Sequence, residues 1–306
     1  MSLIVLRTTD AWYVETPAGA ARIDTTAQTT AQLLEDRAAI EAAGQVVVPT
    51  NTLDLISPVT QPCRVVAQMT NYVSHIKDAG MDPAHVPLTF FRKASGSISG
   101  PYDDVVRPPH VSLLDYEAEI GLVVGREIPV GTTPTVDDLA GLVITNDVSA
   151  RDVQLPQTQF YEAKSYPTFT PTGPALVLLD HDELKRFTDL RLRLWVNGEL
   201  RQDMTAADMV YQPAAALRAL AGFQHLSPGD LILTGTPVGT ALSAPPKPVE
   251  KLAALLPPAM KWRLFFKSQA RNPKYLKNGD VVEIRIATDD GAIDLGVQRT
   301  TVRWAK

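Results

Sequence analysis

Glu117 and Glu119 stand two residues apart in the run DYEAEIGLVVG, and Asp147 follows the apolar run GLVITN. In an extended strand, residues two apart share a face, so both glutamates point one way while Ala118, Ile120 and Leu122 point the other. Two carboxylates held side by side at the head of an apolar strand repel each other and lose hydration. A divalent cation between them relieves both effects, and Asp147 can supply a third oxygen ligand. An all-carboxylate set with no Cys and no clustered His suits a hard, octahedral ion, Mg²⁺ first and Mn²⁺ or Ca²⁺ next. An E-x-E pair is also what the solvated face of a strand looks like. The two readings differ in whether the acids are buried.

His75 and Asp78 form a second candidate pair. Three residues apart on a short helix, they share a face, and the acid can then orient the imidazole and raise its basicity. An exposed His beside an acid also occurs without any such role.

The elements that position these groups are read from periodicity. Pro, at 24 residues spread along the chain, works against long helices and favours short strands joined by turns, so a β-rich fold is expected. Strands are predicted at 65–69, 117–124, 142–146, 175–179, 190–196, 231–234 and 281–287. Asn197-Gly198 reads as a type I′ hairpin turn after 190–196, because both residues tolerate positive φ. Helices are predicted at about 135–140, 182–187 and 212–221. Residues 3–24 read as two short strands around a turn at 16–19, residues 26–43 as helical, and residues 45–62 as a Pro/Thr-rich connection. The division that follows is a small N-terminal segment, 1–62, and a main domain, 63–306.

Composition bounds the function. The 306 residues are 45% apolar with a net charge of −5, which argues against a protein that wraps duplex nucleic acid. One cysteine, Cys63, excludes an intramolecular disulfide framework and a Cys-rich zinc site. No apolar run approaches a bilayer span, and the start, MSLIVLRTTDAWYVE, reaches polar residues too soon for a signal peptide. A cytoplasmic protein acting on a small molecule, with neither nucleic acid nor membrane as partner, is expected. Residues 243–277 depart from the average: six Lys and two Arg against Glu250 give this stretch +7, leaving −12 for the remainder. Either it is a solvated excursion, or its Trp262, Phe265 and Phe266 pack over an active-site rim or a partner subunit.

The runs TNYVSH (70–75), DYEAE (115–119), NDVSARD (146–152), AKSYPTFTPTGP (163–174), NGELRQ (197–202), ILTGTPVG (232–239) and LKNGDVVEIRI (276–286) occur in this order. In that series the chain resembles the fumarylacetoacetate hydrolase (FAH) family over roughly residues 63–303. The resemblance implies an α+β, predominantly β fold, an FAH-type mixed β-roll catalytic domain behind a small N-terminal α/β segment. It also implies a Mg²⁺-type metal site, small 2-oxo or 1,3-dicarbonyl acids as substrates, and a homodimer. Carried over residue by residue, Glu117, Glu119 and Asp147 resemble the metal ligands, and Arg151, Gln154 and Lys164 resemble positions that contact substrate oxygens. Lys93 in FFRKASG resembles a lysine preceding the ligand strand, and Gly235 and Thr236 fit a loop that holds a substrate carboxylate. In hydrolytic members a His with a Glu at the spacing of His75 and Asp78 activates water. Here the acid is Asp, one methylene shorter. The loop from Arg151 to Lys164 is shorter than in some relatives, and 243–277 is longer than the usual connection.

The expected activity is metal-dependent hydrolysis of a C–C bond in a fumarylacetoacetate-like or acylpyruvate-like acid. His75, held by Asp78, would deprotonate water for attack on the distal carbonyl, with Lys164 or Arg151 near the enolate that leaves. The alternative is a lyase, hydratase or isomerase, of decarboxylase or 2-hydroxyhepta-2,4-diene-1,7-dioate isomerase type, which needs only enolate stabilisation and a proton shuttle. A third reading is a non-catalytic ligand-binding protein that keeps the metal site.

Overall fold

The short apolar runs pair into two main sheets. The larger has ten strands, in the order Val47–Val48, Gly19–Arg22, Trp12–Thr16, Leu3–Arg7, Leu176–Leu178, Leu139–Asn146, Ala118–Val124, Leu231–Leu233, Val65–Met69 and Thr89–Lys93. The smaller has five, Glu199–Thr205, Leu190–Val196, Val281–Thr288, Asp294–Trp304 and Val105–Arg107. The computed structural model describes residues 2–44, 47–242 and 256–305. Among them no helix is long and apolar enough to cross a membrane.

The predominantly β architecture follows from where the apolar faces can go. Ala118, Ile120, Leu122 and Val124 share one core with Leu190, Leu192, Leu194 and Val196 of the smaller sheet. The other face of the larger sheet, with Val65, Ala67, Val123, Val143, Leu231 and Leu233, is covered by Leu33 and Ile40 of the N-terminal helices. Covered on both faces, Ala118–Val124 is buried at every position, so an E-x-E pair at its head cannot be a solvated edge. Truncating a side chain such as Leu122 to Ala there costs about 2–5 kcal/mol through lost transfer energy and the cavity left behind.

The predicted strands are present, with ends shifted by a few residues, and Asn197 and Gly198 both take positive φ in the expected hairpin. Residues 213–221 form the expected helix, Pro213–Ala221. Four expectations are corrected. Residues 3–24 hold three strands, because a turn from Thr8 to Ala11 folds Leu3–Arg7 back on Trp12–Thr16 before the predicted turn is reached. The predicted helix 26–43 is two short ones, Thr30–Glu35 and Arg37–Glu41, broken at Asp36, where φ −99° and ψ 48° leave the helical region. At 135–140 a capping box between Thr135 and Asp138 closes a single 3₁₀ turn, and Leu139 already enters the sheet. Likewise 182–187 holds the short helix His181–Leu184 and then a separate turn from Phe187. Strand Leu3–Arg7 pairs with Leu176–Leu178, so the N-terminal strands extend the sheet that carries the acids.

Candidate active site

Sheet register gathers the site at one edge of the larger sheet. Ala118 pairs with Asn146 across an antiparallel ladder, which sets Glu117 and Glu119 beside Asp147. Gly121 pairs with Leu233, and Leu233 runs parallel to Ala67, so the ends of those strands bring Gly235, Thr236 and Gln68 to Thr70 to the same edge. Glu117, Glu119 and Asp147 are all buried, and each offers an oxygen within 4.8 Å of the others. The sequence expectation of a carboxylate trio, and the buried reading of the E-x-E pair, both hold.

Three cations thread between these acids. Lys164 Nζ donates to Glu117 Oε2 at 2.7 Å and to Asp147 Oδ2 at 2.6 Å. Lys93 donates to Asp147 and to the Phe169 carbonyl. Arg151 donates through Nε to Asp115 Oδ2 at 2.8 Å and through its second amino group to Glu117. Burial alone would raise Glu117, but Arg151 and Lys164 hold it down to about 2. Glu119 differs: burial, then the neighbouring Asp147 and Glu117, push it well above the usual carboxylate range. Its side chain accepts the Gly235 amide at 2.6 Å and is bonded to no cation among the described residues. Asp115, Glu117, Glu119 and Asp147 thus face Lys93, Arg151 and Lys164, one positive charge short. That deficit favours a bound cation, and the hard-oxygen donor set suits a divalent one.

A cavity of about 180 Å³ opens on the cluster, lined among others by Gln68, His75, Glu117, Glu119, Arg151, Gln154, Lys164, Gly235 and Thr236. A wider cleft of about 630 Å³ adjoins it and shares Met69, Phe91 and Phe160. Gln154 lies in the cavity wall and accepts from Arg151 at 2.8 Å. Lys93 lies elsewhere: fully buried behind Asp147, it is absent from the wall, and the substrate contact expected of it is not formed from this position. Gly235 and Thr236 reach the cavity but their donors are used by the protein. The Gly235 amide holds Glu119, and the Thr236 hydroxyl donates to the Ala118 carbonyl and accepts from Gln202.

His75 and Asp78 both belong to the helix Val73–Asp78, as expected. Asp78 is exposed, however, and His75 Nδ1 is buried with no hydrogen-bond partner. On this short helix the acid faces solvent, so the orienting bond expected of the pair is absent. Burial holds the imidazole below its ordinary pKa of 6.5, although Glu117 opposes this.

Three further residues organise the site. Asp115 accepts from Arg151 and from the amides of Ala241 and Leu242. Asn71 donates to the carbonyls of Thr234 and Tyr211 and so clamps the loop before Gly235. Gln202 bonds Ala118 and Thr236. These three sit inside the quoted runs DYEAE, TNYVSH and NGELRQ, where their position was the available signal. In the basic stretch 243–277, residues 243–255 lie outside the described residues. The remainder forms the helix Pro258–Gln269, whose Trp262 stacks on Phe266 at 5.6 Å while Phe266 packs on the core. None of its described residues lines the cavity.

The model of the fumarylacetoacetate (FAA) hydrolase C-terminal family matches residues 64–303. The oxaloacetate tautomerase FAHD2A, mitochondrial, of Homo sapiens is 36% identical over 208 residues, 67% of this chain and 65% of that protein. The chain therefore aligns with slightly less than two thirds of the length of this relative. A crystal structure described as a probable 2-hydroxyhepta-2,4-diene-1,7-dioate isomerase from Mycobacterium abscessus superposes with a TM-score of 0.74 at 30% identity, covering 100% of both chains. A fumarylacetoacetate hydrolase from psychrophilic Exiguobacterium antarcticum does so at 0.74 and 26%, again over 100% of both. With the family model covering most of its length and the buried acid trio on the same β architecture, the chain belongs to the fumarylacetoacetate hydrolase family.

Proposed function

We propose that the chain is a divalent-metal-dependent isomerase that interconverts keto and enol forms of a small 2-oxo acid, a tautomerase in the manner named for its relatives. The observation that carries this reading is His75: an imidazole in the cavity wall, held toward its neutral form, whose Nδ1 is buried with no acid bonded to it. Hydrolytic cleavage of a C–C bond asks for a base oriented to activate water. Enolisation asks only for a neutral base beside the carbon next to a carbonyl, and for positive charge near the oxygen. The names of the human tautomerase and the mycobacterial isomerase support the same choice, and the hydrolase expectation gives way to its alternative.

Glu117, Glu119 and Asp147 would hold the cation, Mg²⁺ by the hardness of the set. When bound, it supplies Lewis-acid polarisation of the substrate carbonyl. Lys164 and Arg151 fix the ligand carboxylates through the bonds described above. His75 takes the proton from the substrate carbon next to the carbonyl and returns it to the enolate oxygen, which balances the isomerisation. The small cavity, below the ~300–1,000 Å³ of pockets for drug-sized ligands, suits an acid of few carbons.

Incubating the enzyme and Mg²⁺ with oxaloacetate, acetylpyruvate and fumarylacetoacetate tests the choice by product analysis. Tautomer interconversion without carbon–carbon cleavage is expected. Cleavage of either diketo acid at rates matching tautomerisation of oxaloacetate would restore the hydrolase.

A further inference from the structure

Asp115 is fully buried and absent from the cavity wall, yet four donors converge on its carboxylate. Oδ1 accepts the amides of Tyr116 at 2.8 Å and Ala241 at 2.7 Å, and Oδ2 accepts Arg151 Nε at 2.8 Å and the Leu242 amide at 3.1 Å. Both oxygens are needed, because an amide in this place would offer one acceptor and turn its own N–H groups toward two donors. Strand register makes the contact with Arg151: Leu114–Asp115 pairs with Ser149–Ala150, the residues directly before the helix Arg151–Gln154.

These bonds reach the site from two sides. A guanidinium is planar, so fixing its Nε edge fixes the other two nitrogens as well. In Arg151 those nitrogens meet Gln154 and Glu117, both in the cavity wall. Asp115 also shares the charge of Arg151, which would otherwise fall on Glu117 alone and compete with a cation for that acid. On the other side the carboxylate braces a turn. Leu242 lines the cavity, and Ala241 is gripped at both ends, its amide by Asp115 and its carbonyl by Asn272 Nδ2 at 2.7 Å. The task at Arg151 and the task at the turn are separable, because Asn272 serves only the second.

We propose that Asp115 is a positioning residue that acts through Arg151: by holding the guanidinium against its own carboxylate it leaves Glu117 available to a divalent cation. This rests on the metal site of the proposed function and adds a residue to it that is not a ligand. The test is a double-mutant cycle on Mg²⁺ affinity, measured by calorimetry on wild type, Asp115→Asn, Arg151→Met and the double variant. In the wild-type background Asp115→Asn should weaken Mg²⁺ about 10- to 100-fold, the range for groups that orient metal ligands. In the Arg151→Met background the same change should cost about threefold or less, because the group it acts through is gone. Asn272→Ala loosens the turn without touching Arg151 and should keep Mg²⁺ affinity within about threefold of wild type. Equal losses in both backgrounds overturn the proposal, since they mean that Asp115 contributes only its charge or its bonds to the turn. Unchanged affinity in Asp115→Asn overturns it too, as does an equal loss in Asn272→Ala. Asp115→Ser and Arg151→Lys carry the cycle where the first variants do not fold. If wild type binds no Mg²⁺, the metal reading fails on its own, and the same cycle on kcat/KM for exchange at C3 of oxaloacetate then decides Asp115. Absence of both binding and exchange overturns the proposal with that reading.

Discussion

The Gly235 amide donates to Glu119 Oε2 at 2.6 Å, and this neutral contact is what the structure provides to the one acid of the buried cluster that, among the described residues, no cation touches. Glu117 has Arg151 and Lys164, and Asp147 has Lys93 and Lys164. Glu119 is thus the place where the protein alone leaves charge unbalanced, and where a bound cation has most to contribute.

Replacing Glu119 by Gln removes that imbalance along with a ligand. Metal-free E119Q should be no less stable than metal-free wild type in urea denaturation, while the stabilisation by Mg²⁺ seen in wild type disappears. Activity should drop at least about 100-fold, because Lewis-acid assistance is worth several kcal/mol. A metal-free variant much less stable than wild type would mean that Glu119 is a structural acid.

Lys164 has the opposite character. In Lys164→Met, Glu117 and Asp147 lose the ammonium that bridges them, and burial penalises each charge left behind. Breaking a buried pair on one side costs about 3–5 kcal/mol. The loss should be smaller when Mg²⁺ is present, since the ion partly replaces the missing charge. Equal losses with and without Mg²⁺ would separate Lys164 from the metal site.

The left-handed backbone at Gly235, φ +83°, leaves a Cβ only 3.0 Å from that of Asn71. Gly235→Ala should cost about 1–3 kcal/mol from φ alone, with a further loss from the displaced Asn71 clamp, and should reduce Mg²⁺ affinity by shifting the donor to Glu119. Gly198→Ala, at φ +81° with open space around it, is the control: it should lose stability and leave Mg²⁺ binding intact.

His75 sets the acid side of the pH profile. Burial disfavours the imidazolium, so the folded protein binds this proton only below the ordinary value of 6.5. The base form, and activity, should persist below 6.5 and fall at lower pH. Stability should also decline as pH drops from 6.5 through the lowered value, because the unfolded chain takes up the proton first. An acid limb of kcat/KM at or above 6.5 contradicts the assignment, as does an unaltered limb in His75→Gln.

The acid trio was legible in the sequence because strand geometry is local: a period of two puts Glu117 and Glu119 on one face, and a ladder with the next apolar run brings Asp147 alongside. What period cannot report is which partners a side chain meets. Lys93 and Lys164 are 71 residues apart in numbering, yet both reach Asp147. The division of their charge leaves Glu119 exceptional, and only the tertiary fold shows it. The helix Val73–Asp78 was readable, whereas the outward aim of Asp78 depended on what packs against that helix. The helical composition of 26–43 concealed the break at Asp36, whose backbone leaves the helix while its side chain accepts from Thr25.

The most direct test of the account is deuterium exchange at C3 of oxaloacetate, measured by NMR with the enzyme plus Mg²⁺, after EDTA, and after Mg²⁺ is restored. The account predicts catalysed exchange that stops with EDTA and returns with Mg²⁺, with no carbon–carbon cleavage products. Exchange that continues undiminished in EDTA, or rapid cleavage in its place, would contradict it.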